Sequence, residues 1–235
     1  MEHIRFYPQG DQAITVSFGD EINQELHEEI ISLTKLLDLE PFPGMIEVVP
    51  SFTAVTIYYS PLDVKRQYLN LSIYEDVVMQ IKQKLQSKKV SRNDTPTIIT
   101  IPVCYGGEYG PDLTEVAQYH KLSESDVIRL HSKHEYVVYM VGFTPGFPYL
   151  GGMSERLTTP RKQTPRVAIP AGSVGIGGRQ TGIYPIESPG GWQIIGRTPL
   201  QLFNYNKNEP TLLKAGDIVR FKPITAEQYD EWDGE

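Results

Sequence analysis

Five arginines, Arg156, Arg161, Arg166, Arg179 and Arg197, fall between Val141 and Pro199, interleaved with Phe143, Phe147, Tyr149, Tyr184 and Trp192. A guanidinium captures a carboxylate or phosphate through two parallel N–H bonds, and an aromatic face packs well against an apolar or cationic body. Together these side chains can line a groove for a small anion or a peptide. The same arginines can instead pin loop carbonyls, and the sequence leaves both readings open. Twelve of the chain's 20 glycines lie in this stretch. Proline and β-branched residues are mixed among them, so the segment reads as rigid loops joining short strands and not as a flexible linker.

Other chemistries are less well supported. Gly172-Ser-Val-Gly-Ile-Gly177-Gly-Arg179 invites a phosphate-loop reading. That motif needs Lys-Ser/Thr after its last glycine and a following helix, and neither is present. His131 and His134 share a helix face at i, i+3, but no Cys or acidic residue stands at ligand spacing, so no metal site is expected. His131 reads as a packing residue at a helix end. No Gly-x-Ser-x-Gly elbow occurs. The single cysteine, Cys104, excludes an internal disulfide and reads as a structural thiol at a strand end.

Several elements must position these residues. Ile14, Val16 and Phe18 alternate in a strand over 13–18, and Ile22, Leu26, Ile30, Leu33 and Leu37 mark an amphipathic helix over 21–37 with Asp20 as N-cap. Strands follow at 45–49 and 53–59. Ser72-Ile-Tyr-Glu75 is a capping box opening a second helix. This order suggests a small ferredoxin-like α+β domain. The polar stretch 86–96 reads as a linker, giving domains 1–92 and 93–235. The second opens with a strand at 97–103 and helices near 112–120 and 124–134. Short strands follow at 136–141, 167–170, 193–195, 200–204 and 217–222. Many short strands between Gly/Pro turns suggest a closed or nearly closed β-barrel.

The 235-residue chain has a formal net charge of −7 and dispersed basic residues, which argues against nucleic acid as a partner. No apolar run is long enough to span a membrane, and the N-terminus lacks the features of a signal peptide. A cytoplasmic location is expected.

Four motifs are more specific than composition. They are Gly-Phe-Thr-Pro-Gly-Phe-Pro-Tyr-Leu at 142–150, Pro-Arg-x-x-x-Pro-Arg-Val-Ala-Ile-Pro-Ala-Gly-Ser-Val at 160–174, Gln-Thr-Gly-Ile-Tyr-Pro at 180–185 and Ser-Pro-Gly-Gly-Trp-x-x-Ile-Gly-Arg-Thr-Pro at 188–199. They resemble the KipI / allophanate hydrolase subunit 1 family, whose bacterial members include the B subunit of the ATP-dependent 5-oxoprolinase. The likeness is dense from about Tyr105 to Phe221 and thinner before it. It implies a cyclophilin-like β-barrel after the α+β domain. It also implies two partners, a KipA-like protein and a LamB/YcsF-like protein, with ATP and Mg entering through the assembled complex. The implied reaction opens 5-oxoproline to L-glutamate with ATP hydrolysis. Because the sequence shows no complete catalytic set, the chain is expected to be inactive alone, its site shared with the KipA-like partner. The alternative that the resemblance carries is a KipI-like inhibitor of a sensor histidine kinase.

Arg166 stands between Pro165 and the strand starting at Val167, inside the second motif. A rigid Pro-rich frame would cost an arginine little freedom on binding an anion. The Gly-Ile-Tyr-Pro turn is expected to bring Gln180, Thr181 and Tyr184 to face it, with Phe147 and Trp192 completing the substrate-binding set. No catalytic residue is identifiable.

Overall fold

A computed structural model of the protein describes residues 4–67, 72–87 and 96–233. Its contacts divide the chain into two units, Met1–Thr95 and Pro96–Glu235. The expected boundary after residue 92 lies in 88–95, outside the described residues.

The first unit contains β1 (Arg5–Pro8), β2 (Ala13–Ser17), α1 (Gln24–Leu39), β3 (Met45–Pro50), β4 (Ala54–Tyr59), α2 (Pro61–Gln67) and α3 (Ile73–Ser87). Its sheet is antiparallel, in the order β1-β2-β4-β3. The period-2 pattern aims Ile14, Val16, Val55, Ile57 and Tyr59 into one core. Ile30, Leu33 and Leu37 of α1 and Val77 and Ile81 of α3 meet them there. Each such side chain contributes about 1.5–3 kcal/mol on burial. Ser72 and Glu75 form the expected capping box: the Glu75 N–H donates to Ser72 Oγ and the Ser72 N–H to Glu75 Oε2. At α1 the cap is Asn23 and not Asp20, because Asn23 Oδ1 accepts the Leu26 N–H at 2.8 Å. Ile22 therefore precedes the helix and is 51% exposed. Strand β1 and helix α2 extend the expected set. The edge strand beside β2 thus comes from the N-terminal side.

The second unit contains β5 (Ile98–Tyr105), α4 (Leu113–His120), α5 (Glu124–Ser132), β6 (Glu135–Val141), β7 (Pro148–Gly151), β8 (Arg166–Ile169), β9 (Ser173–Gly177), β10 (Gln180–Ile183), β11 (Ser188–Gly190), β12 (Gln193–Arg197), β13 (Ile218–Ile224) and α6 (Ala226–Asp230). Seven strands close a barrel in the order β10-β7-β6-β13-β5-β12-β9. Closure removes the unpaired edges that an open sheet would present. Strand β13 runs parallel to β5, and the other barrel pairs are antiparallel. Val103, Val138, Leu150, Val174, Ile176, Ile183, Ile195 and Phe221 share one core with Leu113 and Val116 of α4 and Val127 of α5. Strands β8 and β11 form a separate two-stranded ribbon. The strand expected at 200–204 is absent. That segment makes one isolated bridge, Phe203 to Thr211, because Pro199 interrupts the chain after β12. Among the described residues no helix is long and apolar enough to cross a membrane.

Candidate functional site

The glycine-rich strands explain where the aromatic residues go. Along β9 and β10, Val174, Ile176, Thr181 and Ile183 alternate with Gly175, Gly177 and Gly182. The larger aliphatic residues fill the barrel core, and the glycines stand on the opposite face. A methyl group at Gly177 would lie 2.5 Å from the Trp192 ring, and one at Gly182 would lie 3.0 Å from the Phe147 ring. A methyl at Gly190 would collide with the Tyr184 hydroxyl. Glycine here leaves room for rings to lie against backbone. Phe147, Tyr184 and Trp192 are buried with Ile169 and Ile194 in a second core outside the barrel, and Tyr149 packs against it. Phe147 meets Tyr184 at 5.2 Å and Trp192 at 5.5 Å, both edge-to-face. Phe143 extends the set: it stands 5.7 Å from Phe147, is 64% exposed and has φ +69°.

The loop 160–166 crosses this layer and is anchored by one carboxylate. Asp112, just before α4, is buried. It accepts both terminal guanidinium nitrogens of Arg166 at 2.9 and 2.7 Å, and the Ile194 N–H at 2.6 Å. Lys162 Nζ pairs with it at 2.9 Å and also reaches Glu115 at 2.9 Å. Burial pushes the Asp112 carboxyl up, but the hydrogen bonds from Arg166, Lys162 and Ile194 outweigh it and hold the group below its usual range. Asp112 also raises the Arg166 guanidinium, chiefly through their hydrogen bonds. Just before the Lys162 anchor, Arg161 lies over the Trp192 ring, 5.7 Å from its centre.

Residues 4–213 match the model of the carboxyltransferase domain, subdomain C and D. The chain is 49% identical to the 5-oxoprolinase B subunit of Bacillus subtilis (strain 168), over 94% of this chain and 92% of that one. It is 41% identical to the 5-oxoprolinase B subunit of Escherichia coli O157:H7, over 95% and 97%. The chain belongs to the family of the 5-oxoprolinase B subunits. Its fold also matches a crystal structure of TTHA0988, with 33% identity and a TM-score of 0.78, covering 92% of this chain and 40% of that one.

Within this oxoprolinase-B-type chain, the expected site residues separate into two groups. Phe147, Tyr184 and Trp192 do come together, and Arg166 lies beside them, with Gly190 opposite it in the β8–β11 ribbon. Its guanidinium is taken up by Asp112, which is the loop-pinning alternative. Gln180 begins β10 at the turn after Gly177. Thr181 points the other way, into the barrel, and is buried. Its hydroxyl donates to the Gly175 carbonyl and accepts from His131 Nε2, both at 2.9 Å. The ring's Nδ1 then accepts the Tyr105 hydroxyl at 2.8 Å. Burial pushes His131 down to about 3, so it is neutral and fully bonded, as a core residue must be. Cys104 is buried in β5, and burial raises its thiol.

Two important residues escaped sequence reasoning, Asp112 and Lys162. In the sequence Asp112 only stands at the start of the helix expected near 112–120, and Lys162 is one loop cation beside Arg161. The phosphate-loop reading of 172–179 fails for a visible reason. Residues 173–177 form a barrel strand, and the outward glycines at 175 and 177 are covered by Trp192. Among the described residues no cluster of three His, Cys, Asp or Glu side chains could hold a metal.

Proposed function

We propose that the chain is the B subunit of an ATP-dependent 5-oxoprolinase that opens 5-oxoproline to L-glutamate, and that it needs partner proteins to do so. The observation that carries this reading is the match to two B subunits along nearly their whole length. These relatives favour the enzyme component over the histidine-kinase inhibitor. The partners on this reading are a KipA-like protein and a LamB/YcsF-like protein, in the cytoplasm. The first unit is read as a ferredoxin-like sandwich whose edge strand comes first in the chain, and the barrel as cyclophilin-like, folding as separate domains.

The chemistry explains why partners are required. A lactam is stabilised by amide resonance, and its nitrogen leaves poorly. ATP supplies the activation of the lactam oxygen, with Mg accompanying the nucleotide. The glycine strand of this chain does not fit a nucleotide's phosphates, since aromatic rings cover its outer face. What these residues can do is bind and orient a small ring. Phe147, Tyr184 and Trp192 exclude water, Phe143 and Tyr149 offer apolar surface, and arginine offers fixed charge.

Co-expression with the two partner proteins, followed by an assay of 5-oxoproline-dependent ATP hydrolysis, tests the proposal. Turnover is expected from the assembled complex and not from the chain alone. An assembled complex without that activity would sink it.

A further inference from the structure

Arg161 is held opposite Trp192 by its neighbours. The Pro160 carbonyl accepts from Gln193 Nε2 at 3.1 Å, and the Lys162 N–H donates to the Gly191 carbonyl at 2.7 Å. The residues on either side of Arg161 are thus tied to those on either side of Trp192. Asp112 fixes the same loop through Lys162 and Arg166. Four other cations of this stretch differ from Arg161 in having partners: Lys162 and Arg166 share Asp112, Arg179 pairs with Glu155, and Arg197 donates to the Ala171 carbonyl. Arg161 makes no ion pair among the described residues, and its guanidinium rests on an aromatic face.

The rings beside it continue outward. Tyr149 stands 6.2 Å from Trp192, and Phe143 reaches the set through Phe147. Phe143 is held in the left-handed region, where a bulky side chain is rarely found, within a turn closed by the Gly142 N–H to the Phe147 carbonyl at 3.0 Å. An exposed aromatic kept in a strained conformation is a mark of a built binding surface.

We infer that Arg161 is the anchor for the carboxylate of a small cyclic substrate whose methylenes pack on Phe143 and Tyr149. Resting on the function proposed above, that substrate is 5-oxoproline. A single planar fork satisfies a carboxylate in two parallel bonds. A nucleotide's phosphates need several backbone N–H donors or cations together, and the surroundings here are rings. Lysine would keep the charge but lose the fork and the stacking.

The test is a titration of the full chain with L-5-oxoproline, 2-pyrrolidinone and ATP separately. It is read at the Trp192 indole by NMR, with the Trp232 indole as internal reference. L-5-oxoproline should shift Trp192 saturably, and 2-pyrrolidinone, which lacks the carboxylate, should bind roughly tenfold more weakly. Arg161→Ala should weaken L-5-oxoproline about tenfold and abolish the preference over 2-pyrrolidinone, with Arg161→Lys intermediate. An unmoved Trp192, equal binding by Arg161→Ala, or a response to ATP alone would overturn the inference. Because binding is read without turnover, failure of the oxoprolinase assay would leave this result standing, and the reverse also holds.

Discussion

Asp112 and Arg166 meet end-on, each terminal guanidinium nitrogen lying within 2.9 Å of one carboxylate oxygen. The carboxylate is buried and the guanidinium is about one-third exposed. This pair ties the loop 160–166 to the start of α4 and to β12. Removing the arginine leaves a buried charge with only Lys162 and the Ile194 N–H to compensate it. Arg166→Ala should therefore lower stability by about 2 kcal/mol, below the usual cost of breaking a buried pair because those two donors remain. Arg166→Lys should recover part of it. Chemical denaturation of both variants checks this, and unchanged stability in Arg166→Ala would return Arg166 to the list of free ligand-binding groups.

Glycine at 177 is required by packing, not by backbone conformation. Gly177→Ala places a methyl against the Trp192 indole, which is itself packed on Phe147. The expected cost is about 1–3 kcal/mol, as for overpacked cores, with loss of near-ultraviolet circular dichroism from the displaced ring. Gly178 is the contrast. Nothing lies within 4 Å of a methyl there, but φ is +64°. Gly178→Ala should cost about 1 kcal/mol through backbone strain and leave the aromatic signal intact. Equal spectral effects from the two variants would refute the packing account.

That contrast also explains how far the sequence could be read. Strong periodicity exposed β2, α1, β4, α3 and β5, since each presents one apolar stripe to a core. Strands β9 and β10 read as loops because glycine removes the alternating side chains that mark a strand. Their pattern is an alternation all the same, with glycine in the place of the outward residue. The aromatic members of the candidate site were legible as a composition. The hub was not, because Asp112 meets Lys162 and Arg166 only through tertiary contact. Thr181 was misplaced relative to Arg166 for a related reason: a strand puts alternate residues on opposite faces, and Thr181 falls on the inner one.

Acid should destabilise the chain in a defined window. Burial pushes His131 from 6.5 down to about 3, and burial likewise pushes His27 down to about 4 against the opposing effect of Glu28. As pH falls below 6.5 the unfolded chain takes up protons that the folded chain refuses. Stability therefore drops by up to about 1.4 kcal/mol per pH unit for each group until its folded value is reached. Asp112 is depressed, so its contribution is present above its ordinary 3.8 and is lost at lower pH, as pH falls through its folded value. Between about pH 6.5 and 4.5 the histidines dominate. His131→Gln should reduce the pH slope by about one proton even if it lowers stability overall. A slope unchanged by the substitution would show that His131 titrates normally.

The two contact units predict separable folding. Each has its own apolar core, one around Ile14, Ile57 and Leu37, the other around Val103, Leu150 and Val174. The polar segment 86–96 joins them in sequence and carries few residues able to pack. Limited proteolysis should cut there before it cuts either core, since polar connecting segments are preferred sites. A fragment from Asn93 to the C-terminus retains all seven barrel strands and helices α4, α5 and α6. Closure leaves the barrel itself without an unpaired strand edge, and only the short β8–β11 ribbon has free edges, so the fragment should remain monomeric and unfold cooperatively. It should also keep the aromatic layer, and with it the near-ultraviolet signal of Trp192. If the fragment aggregates or melts without a transition, the barrel depends on the N-terminal unit and the division at this segment is wrong.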